Sequence, residues 1–88
     1  MMELKEAFEA AVKRVDSLTQ RPSNDILLKA YALFKQSTVG DNHNERPGGF
    51  DFKAIAKHNA WLEVKGKTQE EAMTAYIDLI NGLVAAES

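Results

Sequence analysis

Apolar residues fall into four periodic stretches separated by polar, turn-rich text. In the first, Leu4, Phe8, Ala11, Val12, Val15 and Leu18 recur at spacings of three and four, which predicts an amphipathic helix with one apolar stripe. Pro22 in "TQRPS" ends it, because its ring cannot continue a helix and restricts the residue before it. Ser23 or Asn24 can cap a second helix reaching to about Ser37 and carrying Ile26, Leu27, Leu28, Ala30, Tyr31, Leu33 and Phe34. Periodicity then stops: "GDNHNERPGG", Gly40 to Gly49, is a loop long enough to carry function or be anchored by its own contacts.

Asp51 can cap a third helix, "FKAIAKHNAWLEVK", which Gly66 can close through a left-handed residue. Thr68 with Glu71 three positions later spells a capping box. The fourth helix carries Ala72, Met73, Tyr76, Ile77, Ile80, Leu83 and Val84, and Gly82 interrupts it at about 1 kcal/mol relative to alanine. Four helices without strand signals predict an all-α bundle, and 88 residues predict a single domain over 1–88.

Composition narrows the function. A formal charge of -2 removes the general basicity that phosphate-backbone binding needs, so nucleic acid is not an expected partner. Without cysteine there is neither disulfide nor thiolate chemistry. The N-terminal stretch "MMELKEAFEAAVKRV" alternates charged and apolar residues and reads as neither signal peptide nor membrane span, so the expectation is a cytoplasmic protein without stable membrane insertion.

Chemistry concentrates on the second and third helices. Tyr31, Phe34 and Lys35 stand at i, i+3 and i+4 and are expected to share one helix face. An aromatic pair beside an ammonium suits a ligand with a flat ring and a phosphate; equally, the rings can be core and the lysine a solvated edge. Lys53 and Lys57 repeat the i, i+4 arrangement, followed by His58, and make either a positive ridge or an ordinary solvated face. Trp61 reads as a packing anchor and Tyr76 as a buried ring. The two histidines, His43 and His58, lack a second ligand at metal spacing, and no nucleophile has an evident base, so neither a metal, nor a cofactor, nor catalysis is expected.

The run "YALFKQSTVGDNHNERPGGFDFKAIAKHNAW" resembles the signature of the acyl-CoA-binding protein family, a Y-x-x-[YF]-K-Q-[AS]-T-x-G-D stretch followed by R-P-G, D-F-K, K and A-W. The likeness continues through "LEVKGKTQEEAMTAYIDLI" and takes in Phe8, Leu18 and Pro22. It implies an up-down-down-up four-helix bundle that binds long-chain acyl-CoA thioesters without changing them, a carrier and pool former, monomeric, delivering to acyl-CoA-using enzymes. By matching position, Tyr31, Lys35 and Lys57 would hold the ribose 3'-phosphate end, Phe34 and Tyr76 would border the adenine, and Phe8, Val12, Leu27 and Leu28 would line the acyl chain.

Three positions depart from the pattern: Phe34 where many members have tyrosine, His58 where animal-type members have tryptophan, and Asp16 where such members often have lysine. These departures imply weaker or differently selective binding, with His58 as a smaller, titratable contact beside the ligand. They also motivate the alternative of a helical protein-interaction module that has lost its ligand.

Overall fold

The computed structural model describes residues 3–87. It consists of α1 (Leu4–Arg14), a 3-10 turn (Val15–Ser17), α2 (Asn24–Thr38), α3 (Phe52–Glu63) and α4 (Gln69–Ala86), with no strand among the described residues. The first helix is shorter than its apolar stripe suggests. After Arg14 the chain tightens into the 3-10 turn, and Leu18 is already extended at ψ 131°. That turn lets Val15 and Leu18 follow the bundle surface towards Pro22 instead of running past its end.

Three helix starts are fixed by side chains that take up free backbone N–H groups. Ser23, not Asn24, caps α2, its Oγ accepting from Ile26 N at 3.3 Å. Asp51 accepts from Ala54 N at 3.1 Å to begin α3. At α4 the capping box is complete: Glu71 N donates to Thr68 Oγ1 at 3.0 Å, and Thr68 N donates to Glu71 Oε1 at 2.9 Å. The turn after α3 passes through Gly66 at φ 93°, a left-handed conformation that glycine adopts without a Cβ penalty. Gly82, by contrast, leaves α4 unbroken.

The packing is sequential in space: α1 lies on α4, α4 on α2, and α2 on α3. Phe8, Ala11, Leu33, Ala72, Tyr76 and Ile80 form the buried cluster shared by α1, α2 and α4. Ala11 and Ala72 are fully enclosed, and their small side chains let α1 and α4 approach closely. Because α3 makes no substantial contact with α1 or α4, it is held almost wholly by α2 and by the connections at its two ends. The body is correspondingly flat, 43 × 28 × 15 Å, and its grooves open to solvent.

A polar clamp ties the α2–α3 connection down. Trp61 Nε1 donates to Gly40 O at 2.8 Å and to Gln36 Oε1 at 3.2 Å. Gln36 Nε2 donates in turn to Asp41 Oδ1 at 2.7 Å and Lys67 O at 2.8 Å, and the same Asp41 oxygen accepts from Gly66 N at 2.9 Å. The Gly66 amide, and then the Gln36 amide, hold the Asp41 carboxyl below its ordinary range. At the far end of the bundle, Glu87 accepts from the backbone N–H groups of Thr19 and Gln20, and Arg14 donates to Asn81.

Candidate ligand-binding groove

The α2–α3 face is organised by two crossed cation–aromatic contacts. Lys57 of α3 sets its Nζ 5.2 Å from the centre of the Tyr31 ring on α2, while Lys35 of α2 sets its Nζ 5.1 Å from the Trp61 ring on α3. Tyr31 and Lys35 are four apart, as are Lys57 and Trp61, so each helix contributes one ring and one ammonium a single turn apart. Each contact contributes about 0.5–1 kcal/mol with an ammonium group on a partly exposed lysine. Both ammonium groups are thereby held at the helix interface rather than dispersed in solvent.

A groove of about 480 Å³ opens beside this ladder, lined by Arg21, Asn24, Leu27, Leu28, Tyr31, Phe52, Lys53, Ala56 and Lys57. Three of these residues are cations and none is a carboxylate, in a chain whose net charge is -2. The groove therefore attracts anions against the sign of the whole molecule. Lys53 and Lys57 both line it, which gives the positive-ridge reading of that pair its geometry.

Phe34 looks the other way. At about 100° of rotation per residue, positions 34 and 35 diverge, and Tyr31 lies angularly between them. The expected single face thus resolves into two adjoining faces with Tyr31 at their border. Lys35 turns to α3, while Phe34 meets Phe8 at 6.0 Å between ring centres and Tyr76 at 6.3 Å. Phe8 and Tyr76 complete the trio edge-to-face at 5.1 Å. Burial pushes the Tyr76 phenol above its ordinary value, and the negative charge of Asp16 adds to the effect.

The two faces join through apolar surface. A cavity of about 230 Å³ touches Leu27 and Tyr31 on one side and Phe34 and Tyr76 on the other. Beyond Phe34 a second groove, about 640 Å³, runs along Phe8, Val12 and Met73. Leu27 and Leu28 thus lie beside the cations, and Phe8 and Val12 lie in a groove that meets the apolar cavity at Phe34 and is edged by Lys5, Glu9 and Lys13.

His58 is not part of the groove lining. It is buried, and Asn42 Nδ2 lies 3.0 Å from its Nδ1 and donates to its backbone carbonyl at 3.3 Å. The contacts of His58 with Asn42 anchor the loop to α3. Arg21, Asn24 and Phe52 were missed as groove residues. They sit at or near helix starts, where periodicity carries no signal, and only the packing of α3 on α2 brings them together.

No group of three or more metal-ligating side chains occurs among the described residues, and none of their helices is long and apolar enough to cross a membrane. Four helices, a groove of cations and an adjoining apolar track make up a small helical domain suited to an amphipathic anion. Comparison with known proteins agrees with that class. Residues 5–80 match the family described as "Acyl CoA binding protein". An acyl-CoA-binding protein homolog of Drosophila melanogaster is 52% identical over 80 residues, covering 91% of this chain and 93% of that one. The acyl-CoA-binding protein of Saccharomyces cerevisiae is 49% identical over 81 residues, covering 92% and 93%. The crystal structure of Oryza sativa acyl-CoA-binding protein 2 superposes with a TM-score of 0.92 at 39% identity, covering 97% of this chain and 94% of that one. The chain belongs to the acyl-CoA-binding protein family.

Proposed function

We propose that the protein binds long-chain fatty acyl-CoA thioesters non-covalently, as a monomeric cytoplasmic carrier that keeps a pool of the ligand in solution and releases it unchanged to enzymes that use it. The whole chain acts as one binding unit. The observation that carries the proposal is the pairing of the Lys57–Tyr31 and Lys35–Trp61 contacts with a carboxylate-free groove that continues into apolar surface.

In this reading Tyr31, Lys35 and Lys57 hold the ribose 3'-phosphate. Charge-assisted hydrogen bonds from the two ammonium groups replace their weaker contacts with the rings. Phe34 and Tyr76 border the adenine as an aromatic floor. The acyl chain follows Leu27 and Leu28 across the shared cavity towards Phe8 and Val12. Phe34 keeps the flat ring that stacking needs and forgoes only a hydroxyl. No metal, cofactor or catalytic group enters the scheme.

Calorimetry with palmitoyl-CoA, CoA and palmitate tests it. The expected result is tight binding of the thioester and much weaker binding of either half, since head and tail occupy different parts of one site. Absence of binding by the thioester would leave a helical interaction module as the better reading.

A further inference from the structure

The most exposed large apolar side chains lie where the loop enters α3. Phe50 is 89% and Phe52 72% solvent-exposed, and their rings pack edge-to-face on each other at 6.2 Å. A close hydrogen bond from Phe52 N to Phe50 O at 2.9 Å and the left-handed Gly49 at φ 68° set the turn that presents them together. Two phenylalanines held in water as a pair do nothing for the core, which is complete without them.

The charges around the pair are as informative as the rings. Along the chain Arg46 and Lys53 balance Glu45 and Asp51. Across the groove that Phe52 itself lines, Arg21 and Lys57 add positive charge with no carboxylate among the lining residues. Exposed rings beside a surplus of arginine and lysine match an anionic bilayer surface, whose headgroups attract the cations while the rings enter the interfacial layer.

We propose that Phe50 and Phe52, with the groove cations Arg21, Lys53 and Lys57, form a reversible docking tip for anionic phospholipid bilayers, which turns the mouth of the groove towards the membrane. The purpose rests on the acyl-CoA reading: a ligand with a fatty chain partitions into bilayers, and a docked mouth takes it up at the surface rather than from dilute solution. The docking itself does not depend on any ligand.

The test is flotation with vesicles of phosphatidylcholine alone and of an equimolar mixture with phosphatidylserine, using the full chain without acyl-CoA. The wild-type protein is expected to float with the mixed vesicles, less with phosphatidylcholine, and less at high salt. Phe50→Ser should weaken mixed-vesicle binding by about tenfold. Phe50→Trp should retain binding and shift its emission to the blue on mixed vesicles, since Trp61 is buried and silent to the surface. Phe50 does not line the groove, so calorimetric affinity of Phe50→Ser for palmitoyl-CoA in solution should equal that of the wild type. Equal vesicle binding by wild type and Phe50→Ser, or no preference for the anionic mixture, overturns the docking tip, and capture of a protein through the same rings without vesicle binding does so too. Failure of palmitoyl-CoA to bind, with vesicle binding intact, overturns the function reading and leaves the docking tip standing.

Discussion

Replacing Lys57 and Lys35 separately and together by alanine separates what the two ammonium groups do for the fold from what they do for a ligand. In the free protein each loses one cation–aromatic contact, at 5.2 and 5.1 Å from its ring centre. At about 0.5–1 kcal/mol per contact, each single variant should lower the melting temperature by roughly 2–8 °C for a domain of this size. A charge-assisted hydrogen bond to a ligand phosphate contributes more, about 1.5–3 kcal/mol, or roughly ten- to a hundredfold in affinity.

The assay is calorimetry with palmitoyl-CoA beside its dephospho analogue, which lacks only the ribose 3'-phosphate. Wild type should prefer the phosphorylated ligand, each single variant should lose much of that preference, and the double variant should lose nearly all of it. The proposal brings both lysines onto one phosphate, so their effects should couple rather than add. Equal weakening of both ligands by Lys57→Ala would refute the assignment, since the lysine would then act on a part of the molecule that both share. Loss of binding accompanied by loss of helical content would point to the fold instead.

Other expectations follow from the same contacts. Trp61→Phe removes the Nε1–H that serves Gly40 O and Gln36 Oε1 in a buried setting, and should destabilise the domain by about 2–4 kcal/mol in urea denaturation. Acid should destabilise it as well. Asp41, Glu71 and Glu87 are held below their ordinary values, chiefly by the backbone N–H groups of Gly66, Thr68 and Thr19, so the folded chain binds fewer protons than the unfolded one. Their contribution is present above about pH 5 and is lost as pH falls through the depressed values, which melting curves of Asp41→Asn and Glu87→Gln against wild type should show as a flatter acid limb. With acyl chains of increasing length, affinity should rise by about tenfold for two methylenes until the track ends. Val12→Asp should abolish the gain for the longest chains first, in a calorimetric chain-length series.

Helix starts were legible because capping is local: Asp51 and the Thr68–Glu71 pair each need only a few consecutive residues, and both act as the spacing predicts. The end of α1 was not. Val15 and Leu18 keep helical spacing, yet the extended path to Pro22 requires the 3-10 turn, and that preference comes from packing rather than from the stripe itself. The same distinction governs the groove. Tyr31 and Lys35 on one helix and Lys57 on another were visible as separate i, i+4 pairs, but their crossing depends on which face of α3 meets α2, and no single-helix pattern encodes that. The contact of His58 with Asn42 was not legible for a related reason: Asn42 sits in a loop without periodicity, sixteen positions away.

The separation of α3 from α1 and α4 has a dynamic consequence. Helix α3 contributes no side chain to the buried apolar cluster that α1, α2 and α4 share, so α3 and the loop before it should be the least protected helical region of the free protein. Arg21, Lys53 and Lys57 add mutual repulsion across the groove, which an anion relieves. A ligand bridging α2 and α3 therefore stabilises directly the helix that lies outside the buried apolar cluster, while α1 and α4 already share that cluster. Hydrogen exchange followed by mass spectrometry should show palmitoyl-CoA slowing exchange most in residues 52–63 and least in the middle of α4. Uniform protection along the chain would mean that the ligand stabilises the fold as a single cooperative unit, with no independent opening of α3. Protection confined to α1 and α4 would place the ligand elsewhere, and the cation–aromatic ladder would then be a packing device alone.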